Sequence, residues 1–153
     1  MRIYLGLGTN LGDKELNLRV AVKKIEERIG KVISLSAFYA TAPWGFQSDN
    51  NFLNAAAGVE TSLSPFDILE RTQRIEQEIG RLHKSHDGIY SDRLIDIDLL
   101  LYGDKILQDE RLSLPHPLMT ERKFVLEPLA EIAPDVVHPV LHKTIRELFL
   151  VLS

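Results

Sequence analysis

The 153-residue chain contains no cysteine, which excludes disulfides, thiolate nucleophiles and cysteine-based metal sites. It carries no basic excess. Its 18 Lys and Arg against 22 Asp and Glu leave a formal net charge of −4, which argues against a general nucleic-acid or anionic-membrane surface but allows a local basic pocket. No window reaches the roughly 18 apolar residues of a membrane span, and the N-terminus lacks a basic segment followed by an apolar one. Neither export nor membrane insertion is expected, and a cytoplasmic location is. There is no repeat, low-complexity tract or Ser/Gly-rich linker, so a single domain over residues 1–153 is expected. Two phosphate-loop signatures are missing as well. There is no G-K-[ST], and Gly8 and Gly12 are four apart where the dinucleotide fingerprint needs three.

Among what is present, the stretch Arg93-Leu94-Ile95-Asp96-Ile97-Asp98-Leu99-Leu100-Leu101-Tyr102 sets two acids inside an apolar run that reads as a strand. Alternation places Ile95, Ile97, Leu99 and Leu101 on one face and Asp96 and Asp98 on the other, roughly 7 Å apart at the backbone. Two carboxylates this close repel and lose hydration. A divalent cation resolves this, and hard oxygen donors favour Mg²⁺, usually held by one or two carboxylates together with substrate phosphates. The other reading is a solvated polar face with Arg93 and nearby cations as partners.

In chain order, residues 2–8 read as a strand, followed by a turn at Thr9–Asp13 and a helix with Leu18, Val22, Ile25 and Ile29 inward, stopping at Gly30. Residues 32–40 alternate as a second strand, with Ile33, Leu35, Ala37 and Tyr39 on one face. Thr41 to Asn51 is a Pro- and Gly-containing loop whose Trp44 and Phe46 suit a lid over a flat ligand. Residues 52–61 form a third strand. Ser64-Pro65-Phe66-Asp67 starts a helix with Ile68, Thr72, Ile75 and Ile79 inward, ended by Gly80.

The basic, irregular segment from Arg81 to Arg93 leads into the acid pair, and cations there suit phosphate oxygens. A hairpin through Gly103-Asp104 and a helix capped by Thr120 are expected next. A C-terminal packing region with a helix near residues 144–152 follows, in which His138 and His142 are structural. The order strand, helix, strand, strand, helix, strand predicts an α+β, ferredoxin-like βαββαβ core: an antiparallel sheet with helices on one face, plus a C-terminal hairpin and helices.

In Gly8-Thr9-Asn10-Leu11-Gly12-Asp13, Phe38-Tyr39-Ala40-Thr41, Phe52-Leu53-Asn54-Ala55, Thr72-Gln73-Arg74-Ile75-Glu76, Gly80-Arg81, Arg93-Leu94-Ile95-Asp96-Ile97-Asp98, Leu114-Pro115-His116-Pro117 and Glu131-Ile132-Ala133-Pro134 the chain resembles the 6-hydroxymethyl-7,8-dihydropterin pyrophosphokinases of the folate pathway. The order and spacing of these pieces make the resemblance specific and nearly full length. It implies transfer of diphosphate from ATP to the hydroxymethyl group of a reduced pterin, leaving AMP. Asp96 and Asp98 would hold two Mg²⁺ ions between the ATP phosphates and the attacking hydroxyl. Arg81 and Arg93 would bind phosphate oxygens as catalytic arginines. Gln73, Glu76, His83, Arg93, Arg111, Ser113, His116 and Arg122 match nucleotide-site positions. Phe52 and Phe124 would sandwich the pterin while Asn54 and Thr41, Ala42, Pro43 and Trp44 read its edge. The chain departs from the family pattern at Ile89-Tyr90-Ser91-Asp92, His83 and Pro117.

A non-catalytic metabolite-binding module of the same fold would have no use for paired acids flanked by Arg81, Lys84 and Arg93. A single-stranded RNA binder would want a positive sheet face, which Asp96 and Asp98 oppose. The expected partners are therefore ATP and a reduced pterin, with neither nucleic acid nor membrane, and a monomer is the working expectation.

Overall fold

The computed structural model describes residues 1–41, 51–81 and 94–152, without the side chain of Arg81. The elements are β1 (Arg2–Thr9), α1 (Lys14–Arg28), β2 (Lys31–Leu35), β3 (Tyr39–Thr41), β4 (Phe52–Glu60), α2 (Pro65–Arg81), β5 (Asp96–Tyr102), β6 (Leu107–Gln108) and β7 (Ser113–Leu114). A 3₁₀ turn (Met119–Glu121), α3 (Lys123–Ile132) and α4 (Ile145–Leu152) follow. The main sheet runs β2-β4-β1-β5, with β3 also on β4, and every pairing is antiparallel. This is the expected ferredoxin-like order.

Alternation along β1 separates two cores. Ile3, Leu5 and Leu7 point to the face covered by α1 and α2, where Leu18, Ile25, Ile68, Ile75, Ile97 and Leu99 are also buried. Tyr4 points the other way, into a core with Ala56, Leu100, Leu101, Met119, Leu126, Leu129, Ile145 and Leu148. The C-terminal helices thus cover the second face of the sheet, in keeping with their packing role. Ser64 starts α2 by accepting from the Asp67 N–H at 3.2 Å, and Thr144 and Glu147 cap α4 reciprocally.

Several boundaries differ from the sequence reading. The single strand over 32–40 is two strands, because Ser36 turns inward and its hydroxyl accepts from the Ala56 N–H at 2.9 Å. Ile33, Leu35 and Ala37 share an exposed face. Strand β5 begins at Asp96, and its register with β1 shifts between Tyr4 and Leu5, so that Leu100 is an extra residue. The bulge sends Leu101 to the second core, away from Ile97 and Leu99. Helix α2 runs through Gly80 to Arg81. The hairpin is β6 with β7, not a turn back through Gly103. Thr120 lies in the 3₁₀ turn, and Arg122 occupies the N-cap of α3 without a side-chain cap bond. His138 is buried and structural, its Nδ1 accepting from the N–H groups of Val140 and Leu141.

Helices α1 and α2 are tied by Glu78, whose Oε1 accepts from Arg28 Nη2 at 2.7 Å and from Lys24 Nζ at 3.3 Å. The hydrogen bonds from Arg28 hold the Glu78 carboxyl well below the usual carboxylate range, at about 2, against an opposing push from burial. A carboxylate depressed in the folded state contributes stability above its unfolded value and loses it as pH falls toward the folded one. Glu78→Gln is therefore expected to cost about 1 kcal/mol at pH 7, given its solvent screening, with the difference from the parent shrinking between about pH 4.5 and 2. Urea unfolding across that range checks it, and a pH-independent difference would remove the ion pair as the cause.

Candidate active site

Register places the site. Gly8 of β1 pairs with Asn54 on one side and Asp96 on the other, and Asn54 pairs with Tyr39. Gly6 pairs likewise with Ala56 and Asp98. Directly paired residues share a face, so Tyr39, Asn54 and Asp96 lie in one row on the face that α3 and α4 partly cover. Asp98 stands two residues on, in the next row. Helices α3 and α4 bury Tyr4, Leu100 and Leu101, whereas Gly6 and Gly8 raise no side chain between the acids and Asn54. The result is a floor with a carboxamide on one bank and two carboxylates on the other, about 10 Å apart across two strand spacings.

The floor depends on glycine. A Cβ on Gly8 would come within 2.8 Å of Asn54 Oδ1. Asn54 is buried, and its Nδ2 donates to Thr41 Oγ1 at 3.0 Å, so the amide is oriented rather than free to swing. For the reduced pterin that the resemblance implies as ligand, Gly8→Ala is expected to fold and to bind it about tenfold more weakly, because the added methyl displaces that amide. Titration of pterin fluorescence measures it, and unchanged affinity would show that Asn54 does not read the ligand.

The acid pair is held from three sides. The Thr9 hydroxyl donates to the Leu94 carbonyl, and Asn17 Nδ2 donates to Thr9 Oγ1 at 3.2 Å and to the Leu11 carbonyl at 2.9 Å, fixing the entry into β5. Glu76 of α2 accepts from the Ile97 N–H, between the two acids, at 2.7 Å. On the far side the Leu100 carbonyl, at the bulge, accepts from the His116 N–H at 2.9 Å, drawing the cis Leu114–Pro115 segment onto β5.

The His116 ring lies in the fields of Asp98 and Arg122. Burial lowers its pKa most, the Asp98 charge raises it, and Arg122 lowers it again, so the net direction is down. Its Nδ1 accepts from the Leu118 N–H at 3.2 Å, so the neutral ring carries its hydrogen on Nε2, a donor for an anionic oxygen. The Arg122 guanidinium lies 5.6 Å from the ring centroid of Phe124. Phe124 and Phe52 are 39% and 37% exposed, unusual for large aromatics beside a core and apt for stacking on a flat ligand.

Asp98, His116 and Arg122 are thus brought together, with Asp96 and Glu76 beside them. Asn54, Thr41 and Phe52 gather on the opposite bank. Ser113 lies in β7, just before the cis peptide. Gln73 is exposed on α2, one turn before Glu76. Arg111 instead sits over Phe66, 5.2 Å from the ring centroid, at the start of α2. Ala42, Pro43, Trp44, His83 and Arg93 lie outside the described residues, as does the side chain of Arg81. Among the described residues no group of three or more His, Asp or Glu could hold a metal ion. Sequence reasoning missed Thr9 and Asn17; the signal was a polar Asn17 beside Leu18 on the inward stripe of α1.

The class is that of an α+β fold with, among the described residues, an acid pair on the part of one sheet face that α3 and α4 do not reach. The family model for 7,8-dihydro-6-hydroxymethylpterin-pyrophosphokinase (HPPK) matches residues 4–134. A 2-amino-4-hydroxy-6-hydroxymethyldihydropteridine pyrophosphokinase of Porphyromonas gingivalis is 48% identical over 139 residues, covering 90% of this chain and 93% of that one. Its counterpart in Aquifex aeolicus is 39% identical over 145 residues, covering 95% and 88%. The chain belongs to the 7,8-dihydro-6-hydroxymethylpterin-pyrophosphokinase family. Among solved structures, the wild-type HPPK-DHPS of Plasmodium falciparum has the same fold, with a TM-score of 0.76, 20% identity and 99% of this chain covered. This chain spans 43% of that longer one. No helix among the described residues is long and apolar enough to cross a membrane.

Proposed function

We propose that residues 1–153 act as a single domain that transfers diphosphate from ATP to the hydroxymethyl group of 6-hydroxymethyl-7,8-dihydropterin, giving AMP and the pterin diphosphate ester. The observation that carries this reading is the glycine floor joining Asn54 to Asp96 and Asp98. A pterin offers a row of donors and acceptors at one end of a flat bicycle and its hydroxymethyl at the other. With the edge on Asn54 and Thr41, and the rings between Phe52 and Phe124, the hydroxyl reaches toward the acids.

The donor set fits Mg²⁺, with Asp96 and Asp98 as its protein ligands; two bound ions would supply charge neutralisation at the phosphates and a more acidic hydroxyl. The chain's own residues do the positioning. Glu76 and the Thr9–Asn17 pair hold the backbone on either side of Asp96, so the carboxylates need no reorganisation when ATP arrives. The Nε2–H of His116 and the Arg122 guanidinium donate to phosphate oxygens, and the resemblance gives the same role to Arg81 and Arg93. Gln73, Arg111 and Ser113 serve the nucleoside end, and the resemblance assigns His83 to the nucleotide as well. Ala42, Pro43 and Trp44 complete the pterin edge. Action in the cytoplasm as a monomer belongs to the same proposal, as does the absence of a nucleic-acid partner, with which the acidic net charge accords.

The purified chain mixed with ATP, Mg²⁺ and the pterin is expected to release AMP and no ADP, only when pterin and magnesium are both present. ADP formation, or AMP without pterin, would sink the reading.

A further inference from the structure

Two motifs that carry the family resemblance hold residues without a part in this chemistry: Tyr39 in Phe38-Tyr39-Ala40-Thr41, and Glu131 in Glu131-Ile132-Ala133-Pro134. The fold joins them across a separation of 92 residues. Glu131, near the end of α3, accepts the Ala37 N–H at 3.1 Å on Oε1 and 3.2 Å on Oε2, and its Oε1 also accepts from the Tyr39 hydroxyl. The carboxylate beside it raises the Tyr39 phenol to about 12, so the hydroxyl remains a donor at physiological pH.

Each end of this contact leads to the pterin bank. Tyr39 pairs with Asn54 in the cross-sheet row, and Thr41, two residues on, bonds the Asn54 amide. At the other end, α3 carries Phe124 in its first turn. The contact is not needed to seat the helix, because Leu126, Leu129 and Ala133 already bury α3 on the sheet. Nor does it rescue a deeply buried group, since Glu131 and Ala37 are both exposed and water could serve the Ala37 N–H.

We propose that Glu131 is a positioning residue for the pterin pocket: by holding Tyr39 and Ala37 against α3, it sets the gap between the helix bearing Phe124 and the strand bearing Thr41. This rests on the pterin reading above. A stacked ligand a few ångströms thick tolerates little change in that gap, whereas the acid pair lies on β5 and His116 is bonded to it, so that of the phosphate-facing groups among the described residues only Arg122, at the N-cap of α3, shares the clamped helix.

The test uses the full chain with Glu131→Ala, Glu131→Gln and Tyr39→Phe, and Phe124→Ala as reference. Pterin affinity is measured with a non-hydrolysable ATP analogue and Mg²⁺ present, and affinity for the analogue separately. Glu131→Ala is expected to weaken pterin binding about tenfold while the analogue's affinity stays within about twofold. Tyr39→Phe should lose about threefold, and Glu131→Gln should recover part of the loss through its amide oxygen.

If Phe124→Ala weakens pterin and Glu131→Ala does not, the clamp is overturned and the pocket stands. If neither variant matters, pocket and clamp fall together. Parallel loss of pterin and nucleotide binding would overturn the proposal in favour of a general role in stability. Should Glu131→Ala fail to fold, Tyr39→Phe decides, since it removes one half-buried hydroxyl; unchanged pterin affinity in that variant overturns the clamp.

Discussion

Asp98→Asn is expected to lower turnover by about a thousandfold or more at saturating substrates, with the fold intact. The substitution keeps the side chain's size and removes its charge. Asp98 is half-buried opposite Gly6, and its field is felt by His116. On the proposed reading, its loss leaves one carboxylate to hold the cation that neutralises the triphosphate, and removes preorganised charge from the site. Stability should hold or rise slightly, because two like charges beside each other are replaced by one. The burial-lowered pKa of His116 should fall further, since the Asp98 charge is the influence that raises it. Rapid-quench measurement of AMP with matched circular dichroism tests the prediction. Turnover near that of the parent at saturating Mg²⁺ would take Asp98 out of the reaction.

Phe124→Ala is expected to weaken pterin binding between about tenfold and a hundredfold, since stacking on an aromatic face contributes about 1–3 kcal/mol, while leaving nucleotide affinity close to the parent value. The position is well suited to such a separation. Phe124 is partly exposed, and α3 is seated by Leu126 and Leu129, so the truncation creates no core cavity. The Arg122 guanidinium loses the ring it lies over, but it retains its charge for phosphate. Calorimetric titration of pterin and of an ATP analogue, in separate experiments, decides the matter. Equal losses for both ligands would mean that Phe124 supports the site as a whole.

How much of this was legible in the chain varies with the range of the interaction. The alternation in β1, the Ser64 cap of α2 and the inward stripe of Ile68, Thr72, Ile75 and Ile79 are local signals, and all are present in the fold. The alternation over residues 32–40 read as one strand, because it runs on through the inward-turned serine that divides β2 from β3, and the apolar Ile33 and Leu35 lie on the exposed face. On an edge strand, apolar residues mark the buried face only weakly. The acid pair was visible as a pattern, but its partners were not: Glu76 reaches the Ile97 N–H from 21 residues away, and His116 is brought to Asp98 by a bond to the bulged Leu100.

By itself the sequence determined the order of strands and helices, the common face of Asp96 and Asp98, and the residue types for phosphate and a flat heterocycle, since each depends on spacings of two to four residues that backbone geometry converts directly into faces. The tertiary structure decided which part of the sheet face α3 and α4 cover. It also set the register that places Asn54, Gly8 and Asp96 in one row, and the meeting of Glu131 with Tyr39. Those outcomes depend on how β1 and β5 slide past each other and where α3 comes to rest, and both are set by the packing of Leu100, Leu126 and Leu129 between elements far apart in the chain.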